Sequence, residues 1–177
     1  MSVEHSVLAQ LAGSAYGNVT ERNKVLAPIG WTQIATYPSS GPSDDPITGF
    51  SAVAYRGPGG AIVIAYAGTN VESKLDNDWL QANVPATLGA YSPQVLQAAQ
   101  FYWQVLNRPD VGLANKGQIT LTGHSLGGGL ASLMAVYFAL PATTFDTAPF
   151  ELSAFVGSAI DQYAEKFAAA GIADAAW

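Results

Sequence analysis

One segment joins a β-prone stretch to an apolar helical stretch through a serine flanked by glycines, and it constrains the fold more than any other. Residues 119–122 are β-formers, Gly-His-Ser-Leu-Gly follows at 123–127, and an apolar pattern continues to residue 140, where Pro141 ends it. The glycines suit a sharp turn, because a Cβ on either side of the serine would crowd the backbone. The segment predicts a serine lifted clear of a sheet, at the N-terminus of a helix.

Two further β-prone runs lie upstream and are separated by a short turn. Residues 50–56 and 61–67 flank Gly-Pro-Gly-Gly at 57–60, which has the length and composition of a hairpin loop. The second run is apolar throughout, as in a strand buried on both faces. Residues 31–37 predict another strand.

Helical patterns alternate with these strands. Val3, Val7 and Leu11 recur at four-residue spacing in the first helix, and a second apolar face follows Ser92 and Pro93. An early hairpin followed by alternating strands and helices predicts an α/β fold, with a mostly parallel sheet and helices on both faces. At 177 residues, the chain is expected to form a single domain over residues 1–177.

Composition excludes several classes of function. The net charge of -6 disfavours nucleic acid and anionic lipid surfaces as partners. The sequence has no cysteine, which excludes a disulfide framework, a thiolate metal site and a cysteine nucleophile. We expect a soluble chain without an integral membrane segment, because no apolar run approaches about 20 residues and no signal peptide pattern opens the sequence.

Ser125 is the candidate nucleophile. The start of a helix beneath it would offer free N–H groups and a partial positive charge to a developing oxyanion. A second N–H should come from a loop at the carboxyl end of a neighbouring strand. Thr69, just after the buried run, and Leu126, just after the serine, are the expected donors. The alternative is that residues 68–70 form an ordinary turn.

Three motifs in order resemble the class 3 lipase family: Gly68-Thr69 after a strand, Asp-Trp at 78–79, and Gly-His-Ser-Leu-Gly-Gly at 123–128. The resemblance runs from about residue 50 to residue 150. It implies an α/β-hydrolase-like core and cleavage of carboxylic esters, often acylglycerols, without a cofactor or metal. It also implies Ser125 as nucleophile and Thr69 as the oxyanion residue of the first loop. The expected partner is an acyl ester or lipid substrate.

The histidines depart from this family. In the α/β-hydrolase fold the triad runs Ser, Asp, His along the chain, yet the only histidines here, His5 and His124, both precede Ser125. We expect the His124 side chain to pack around the turn and His5 to lie exposed on the first helix. Asp146 is a tentative acid, because it ends the strand after that of the nucleophile. The fold is therefore expected to be C-terminally incomplete, with the acid and base in a downstream part.

Two other functions use the same features. An acyltransferase would use the same serine but deliver the acyl group to an alcohol instead of water. A catalytically dead hydrolase-like domain would bind an acyl ligand or a protein partner, and the missing downstream histidine motivates this alternative.

Overall fold

The computed structural model of the chain describes residues 3–17, 19–39, 48–68, 92–148 and 157–176. The helices in these ranges are α1 (His5–Ser14), α2 (Val19–Leu26), α3 (Pro93–Leu106), α4 (Leu126–Phe138) and α5 (Gly157–Ala169). The strands are β1 (Thr32–Tyr37), β2 (Ser51–Arg56), β3 (Ile62–Ala67), β4 (Ile119–His124) and β5 (Ala142–Phe145). Short 3-10 turns cover Ala27–Ile29, Pro58–Gly60 and Leu113–Gln118.

The strands form one mixed sheet in the order β1-β2-β3-β4-β5. β2 pairs antiparallel with both β1 and β3, whereas β3, β4 and β5 pair in parallel. Among the described strands, only β2 therefore runs against the rest, and the predicted hairpin is the β2-β3 pair. The mostly parallel α/β sheet with an N-terminal hairpin is confirmed.

Each face of the sheet is covered by its own group of helices. Alternate residues of β2 and β3 pack with α3, α4 and α5 on one face, namely Ala52, Ala54, Ile62, Ile64 and Tyr66. The residues between them, Val53, Tyr55, Val63, Ala65 and Ala67, pack with α1 and α2 on the other. Every residue of β3 is buried, as its continuous apolar pattern predicts. The helices therefore lie on both faces, which is the expected layering.

α1 lies across β3 and β4, and the predicted residues Val3, Val7 and Leu11 all pack in the apolar cluster on this face of the sheet. Leu8, Leu11 and Ala12 are its buried residues, whereas Val7 is only partly buried. The helix begins at His5, so Val3 precedes it and cannot belong to a helical stripe. The apolar residues therefore face the sheet as predicted, with the deepest burial at Leu8, Leu11 and Ala12.

The C-terminal end of α1 is held by the side chain of Arg22, which is almost completely buried. Its Nε donates to the carbonyl of Ser14 at 3.1 Å and its Nη2 to the carbonyl of Ala15 at 3.3 Å. Nη1 donates to Oε1 of Gln33 in β1 at 3.1 Å. A buried guanidinium thus satisfies helix-end carbonyls that lack intrahelical donors.

Within the described ranges, none of the helices combines the length and the apolar character that a membrane crossing requires.

Candidate active site

Ser125 sits alone between β4 and α4 in an uncommon backbone conformation. Its φ is 54° and its ψ is -126°, a combination that non-glycine residues rarely adopt. Strain of this kind persists only where the surrounding structure imposes it. The side chain is partly exposed at the carboxyl edge of the sheet, so the predicted strand-serine-helix arrangement is present.

The glycines around Ser125 allow strand and helix to approach closely. A Cβ on Gly123 would overlap the carbonyl of Gly127, and a Cβ on Gly127 would overlap the carbonyl oxygen of Tyr66 in β3. A Cβ on Gly128 would lie 2.9 Å from the hydroxyl of Thr147. The start of α4 therefore packs directly on the backbone of β3 and β4, and only glycine fits at the contacts.

The peptide groups of Ser125 bind the end of β5 and the residues directly after it. Its N–H donates to the carbonyl of Phe145 at 3.0 Å, and its own carbonyl accepts from Ala148 N at 3.0 Å. The same carbonyl accepts from Gly129 N at 3.2 Å, inside the first turn of α4. Three residues thus bind the two peptide groups that flank the Ser125 Cα, which keeps the serine in its strained geometry.

Leu126, the expected donor beside the serine, is the first residue of α4. The N–H groups of the first helical turn have no intrahelical acceptor and are available to an anion. A Cβ on Gly68, at the end of β3, would lie 3.4 Å from Leu126 N. The chain that leaves β3 therefore runs directly beside this amide. Thr69, the other expected donor, lies outside the described residues, as does the Asp-Trp motif at 78–79.

Tyr16 joins these two backbone segments, and the sequence analysis did not identify it. Its hydroxyl accepts from Gly68 N at 2.8 Å and donates to the carbonyl of His124 at 3.1 Å. Its ring also meets the imidazole of His124 edge-on, with ring centroids 6.3 Å apart. No local pattern marks Tyr16, because both partners lie far away in the sequence.

The imidazole of His124 does not pack around the turn, so that prediction was wrong. Its side chain is 48% exposed on the α1 side of the sheet, with Nε2 3.9 Å from Oδ2 of Asp146. His124 lies on the same face of β4 as buried Thr122, whose hydroxyl donates to the Thr143 carbonyl at 2.8 Å and lies 3.5 Å from the α1 carbonyl oxygen of Leu8. The imidazole therefore projects past the edge of the core. It borders a cavity of about 420 Å³ that Ala12, Gly13, Tyr16 and others line.

Asp146, the tentative acid, directly follows β5, with a left-handed φ of 46°. Its side chain is 91% exposed, and its Oδ2 lies 3.9 Å from Nε2 of His124. His5 is exposed on the first turn of α1, as expected. In the described part of the chain, no group of histidine and carboxylate side chains is arranged to hold a metal ion.

Comparison with known proteins points to lipolytic enzymes. A family model described as phospholipase-like, the Tle-like phospholipase domain, matches residues 7–175. A lipase from Rhizopus microsporus var. chinensis has a similar structure, with a TM-score of 0.51 and 19% sequence identity, over 83% of this chain and 58% of that one. The M37 lipase gives a TM-score of 0.45 at 18% identity, over 81% and 59%. A comparison with curated proteins gave no match.

The likeness to the Rhizopus enzyme shows a lipase-like α/β-hydrolase fold. The chain spans less than two thirds of the length of either lipase structure.

Proposed function

The chain belongs to the family of Tle-like phospholipase domains, and from this membership we propose that it supplies the nucleophile of a lipid ester hydrolase. The backbone of Ser125 carries the proposal. A serine with a φ of 54° between a parallel strand and a helix is the arrangement that presents a hydroxyl to a substrate. The close-packed glycines on both sides support it, because this motif requires small residues where the start of the helix meets the strands.

The proposed reaction has two steps. Ser125 Oγ attacks the ester carbonyl carbon while a base takes its proton, and the resulting tetrahedral intermediate expels the alcohol, which receives that proton. Water then attacks the acyl-enzyme, releases the carboxylic acid and regenerates the serine. The Leu126 N–H stabilises the oxyanion in both steps, and we assign the second donor to Thr69.

We place the base outside these 177 residues. His5 is exposed at the start of α1, and the imidazole of His124 contacts Tyr16 on the α1 side of the sheet. In this fold the histidine follows the acid, which follows the nucleophile. Asp146 stays the candidate acid within the chain, since it directly follows β5, the strand next to that of the nucleophile.

The substrate class follows from the family description and from the class 3 resemblance. We propose the acyl esters of phospholipids as the main substrate and acylglycerols as a second one. Hydrolysis of vesicles of phosphatidylcholine, compared with emulsified triacylglycerol, distinguishes the two by the fatty acid released. Added alcohol as competing acceptor distinguishes the hydrolase from an acyltransferase, which would form a new ester in place of free acid.

The decisive experiment replaces Ser125 in the whole natural protein. Ser125→Ala should lower turnover of a lipid ester by about 10⁴- to 10⁶-fold, as loss of the nucleophile does in other serine hydrolases. It should also abolish labelling by a fluorophosphonate, which reacts with the activated serine. Ser132→Ala, seven residues further along the same helix, is the matched control and should leave turnover and labelling unchanged.

Full turnover in Ser125→Ala would show that another residue is the nucleophile. A wild-type protein that binds lipid but neither turns it over nor reacts with the probe would favour the catalytically dead binding domain. His5→Gln should have no effect, and abolition of activity by that change would identify His5 as the base.

A further inference from the structure

The hydroxyl of Tyr16 bridges two backbone groups that belong to different strands. It accepts from Gly68 N, directly after β3, and donates to the carbonyl of His124, the last residue of β4. The His124 carbonyl belongs to the peptide bond that leads into Ser125. One side-chain oxygen thus ties the exit of β3 to the strained serine.

The position of this oxygen is fixed by the helix that carries it. Tyr16 lies two residues after the end of α1. Ala15, directly before it, is fully buried against the sheet. The guanidinium of Arg22 holds the carbonyls of Ser14 and Ala15, so the backbone just before Tyr16 is anchored. The hydroxyl is therefore pre-positioned at the edge of the sheet.

Gly68, which the Tyr16 hydroxyl binds, also lies directly beside the turn that carries Ser125. A Cβ on Gly68 would be 2.7 Å from the Tyr16 hydroxyl, 3.2 Å from the His124 carbonyl oxygen and 3.4 Å from Leu126 N. The Gly68 N–H already has an acceptor, so it is not free to bind an oxyanion. Its bond to Tyr16 instead holds Gly68, the first residue after β3, beside the Leu126 amide.

We propose that Tyr16 is a positioning residue of the active site, whose hydroxyl holds the β3 exit and the His124–Ser125 peptide in the geometry that the reaction requires. The inference rests on the proposed function of Ser125. Tyr16 acts through these two backbone groups and does not itself touch the reacting atoms. Small displacements of positioned groups are costly, since a shift of about 1 Å can reduce a rate by about 100-fold.

Tyr16→Phe removes the oxygen and keeps the ring. Tyr55→Phe is the matched control, because the Tyr55 hydroxyl also bonds to the end of α1, at 2.9 Å from Ser14 Oγ, but contacts neither Gly68 nor His124. Amide hydrogen exchange in the chain should accelerate at Gly68 by about 10-fold or more in Tyr16→Phe and stay unchanged at that amide in Tyr55→Phe. Unchanged exchange at Gly68 in Tyr16→Phe would overturn the inference.

Kinetics of the whole natural protein test the positioning role. We expect kcat for a lipid ester to fall by about 10- to 100-fold in Tyr16→Phe with little change in KM, because the loss is confined to the transition state. A merely structural role would lower activity only with the folded fraction, and Tyr55→Phe would then do the same.

A double substitution gives a sharper readout. Gly68→Ala alone crowds the Tyr16 hydroxyl, at 2.7 Å from the added Cβ, and the His124 carbonyl oxygen, at 3.2 Å, and Tyr16→Phe removes the closer of these two atoms. The double variant should therefore lose less than the product of the two single losses, whereas independent structural effects would multiply. Multiplying losses would contradict the proposal.

The two proposals fail in different ways. If Ser125→Ala retains full turnover, the proposed function is wrong and the role of Tyr16 falls with it. If Ser125→Ala is inactive while Tyr16→Phe matches Tyr55→Phe in kcat, only the role of Tyr16 is wrong.

Discussion

At the residue scale, the candidate site depends on glycines, which have no Cβ atom to block a close contact. Gly123, Gly127 and Gly128 allow the first turn of α4 to contact the backbone of the neighbouring strands. Ser125 lies between Gly123 and Gly127, and the contacts on each side hold its positive φ of 54°. The hydroxyl of this candidate nucleophile is therefore positioned by backbone packing.

Replacing Gly127 by alanine tests this packing. The new Cβ would overlap the carbonyl oxygen of Tyr66, so strand and helix must separate. We expect a loss of about 3 kcal/mol or more in the free energy of unfolding, at the upper end of overpacked cores, together with loss of fluorophosphonate labelling. Denaturant unfolding measures the first and gel fluorescence the second.

Gly13→Ala is the control for that substitution. Gly13 lies near the end of α1 with no atom within 4 Å of an added Cβ. Alanine there should be neutral or stabilise by about 0.5 to 1 kcal/mol, because it reduces the entropy of the unfolded chain. Equal effects of the two changes would mean that the contact with β3 is not what selects glycine at residue 127.

At the scale of elements, α1 does more than cover the sheet. Its buried stripe packs on β3 and β4, and the residues just beyond its end carry Tyr16 to the edge of the site. α2 supports α1 through Arg22, whose side chain donates to the carbonyls of Ser14 and Ala15 at that end. Burial lowers the pKa of the Arg22 guanidinium from its ordinary value, which reflects a charge taken out of water.

Arg22→Met should destabilise the protein strongly. It removes the donor of the Ala15 carbonyl and one of the two donors of the Ser14 carbonyl, which keeps Gly17 N, and hydrogen bonds from charged groups are each worth about 1.5 to 3 kcal/mol. We expect a loss of about 2 to 4 kcal/mol in denaturant unfolding. Arg22→Lys should recover little of it, because one ammonium cannot reach three acceptors in the same plane.

The control for this change is Lys24→Met, an exposed cation on the same helix. That change should alter stability by about 0.5 kcal/mol or less. If both variants lost the same stability, the effect would come from net charge and not from the cap at the end of α1.

At the scale of the whole molecule, buried tyrosines on both faces of the sheet make the stability of the fold depend on pH. Burial raises the pKa of Tyr55 to about 12 on the α1 face. On the opposite face burial also raises the pKa of Tyr66, Tyr102 and Tyr137, and for Tyr102 a hydrogen bond to Asp174 adds to the effect. These groups stay protonated in the folded protein at pH values where an unfolded chain would lose its protons.

The chain should therefore unfold cooperatively in alkali. An unfolded tyrosine ionises near pH 10, so these four phenols contribute their full stability below about pH 10 and lose it as the pH rises toward their folded values. We expect the tyrosinate absorbance of these groups to appear in one step with the loss of helical circular dichroism. Ionisation of all tyrosines near pH 10, with the circular dichroism intact, would contradict the burial.

Local rules in the sequence determined the elements and the position of the serine. Strand β4, the turn at Ser125 and helix α4 follow from β-formers, glycines at fixed offsets and an apolar run that ends near Pro141. The hairpin of β2 and β3 follows in the same way from two apolar runs and a glycine-rich turn. These features depend on residues that are neighbours in the chain, so the sequence alone was sufficient to predict them.

Only the tertiary structure decided which distant groups meet at the serine. Tyr16 reaches partners 52 and 108 residues away, and Arg22 closes the end of a different helix from its own. The exposed imidazole of His124 also depends on where α1 ends above the sheet. Such contacts depend on how whole elements pack, and the energy that selects that packing is spread over the buried core and not over any local pattern.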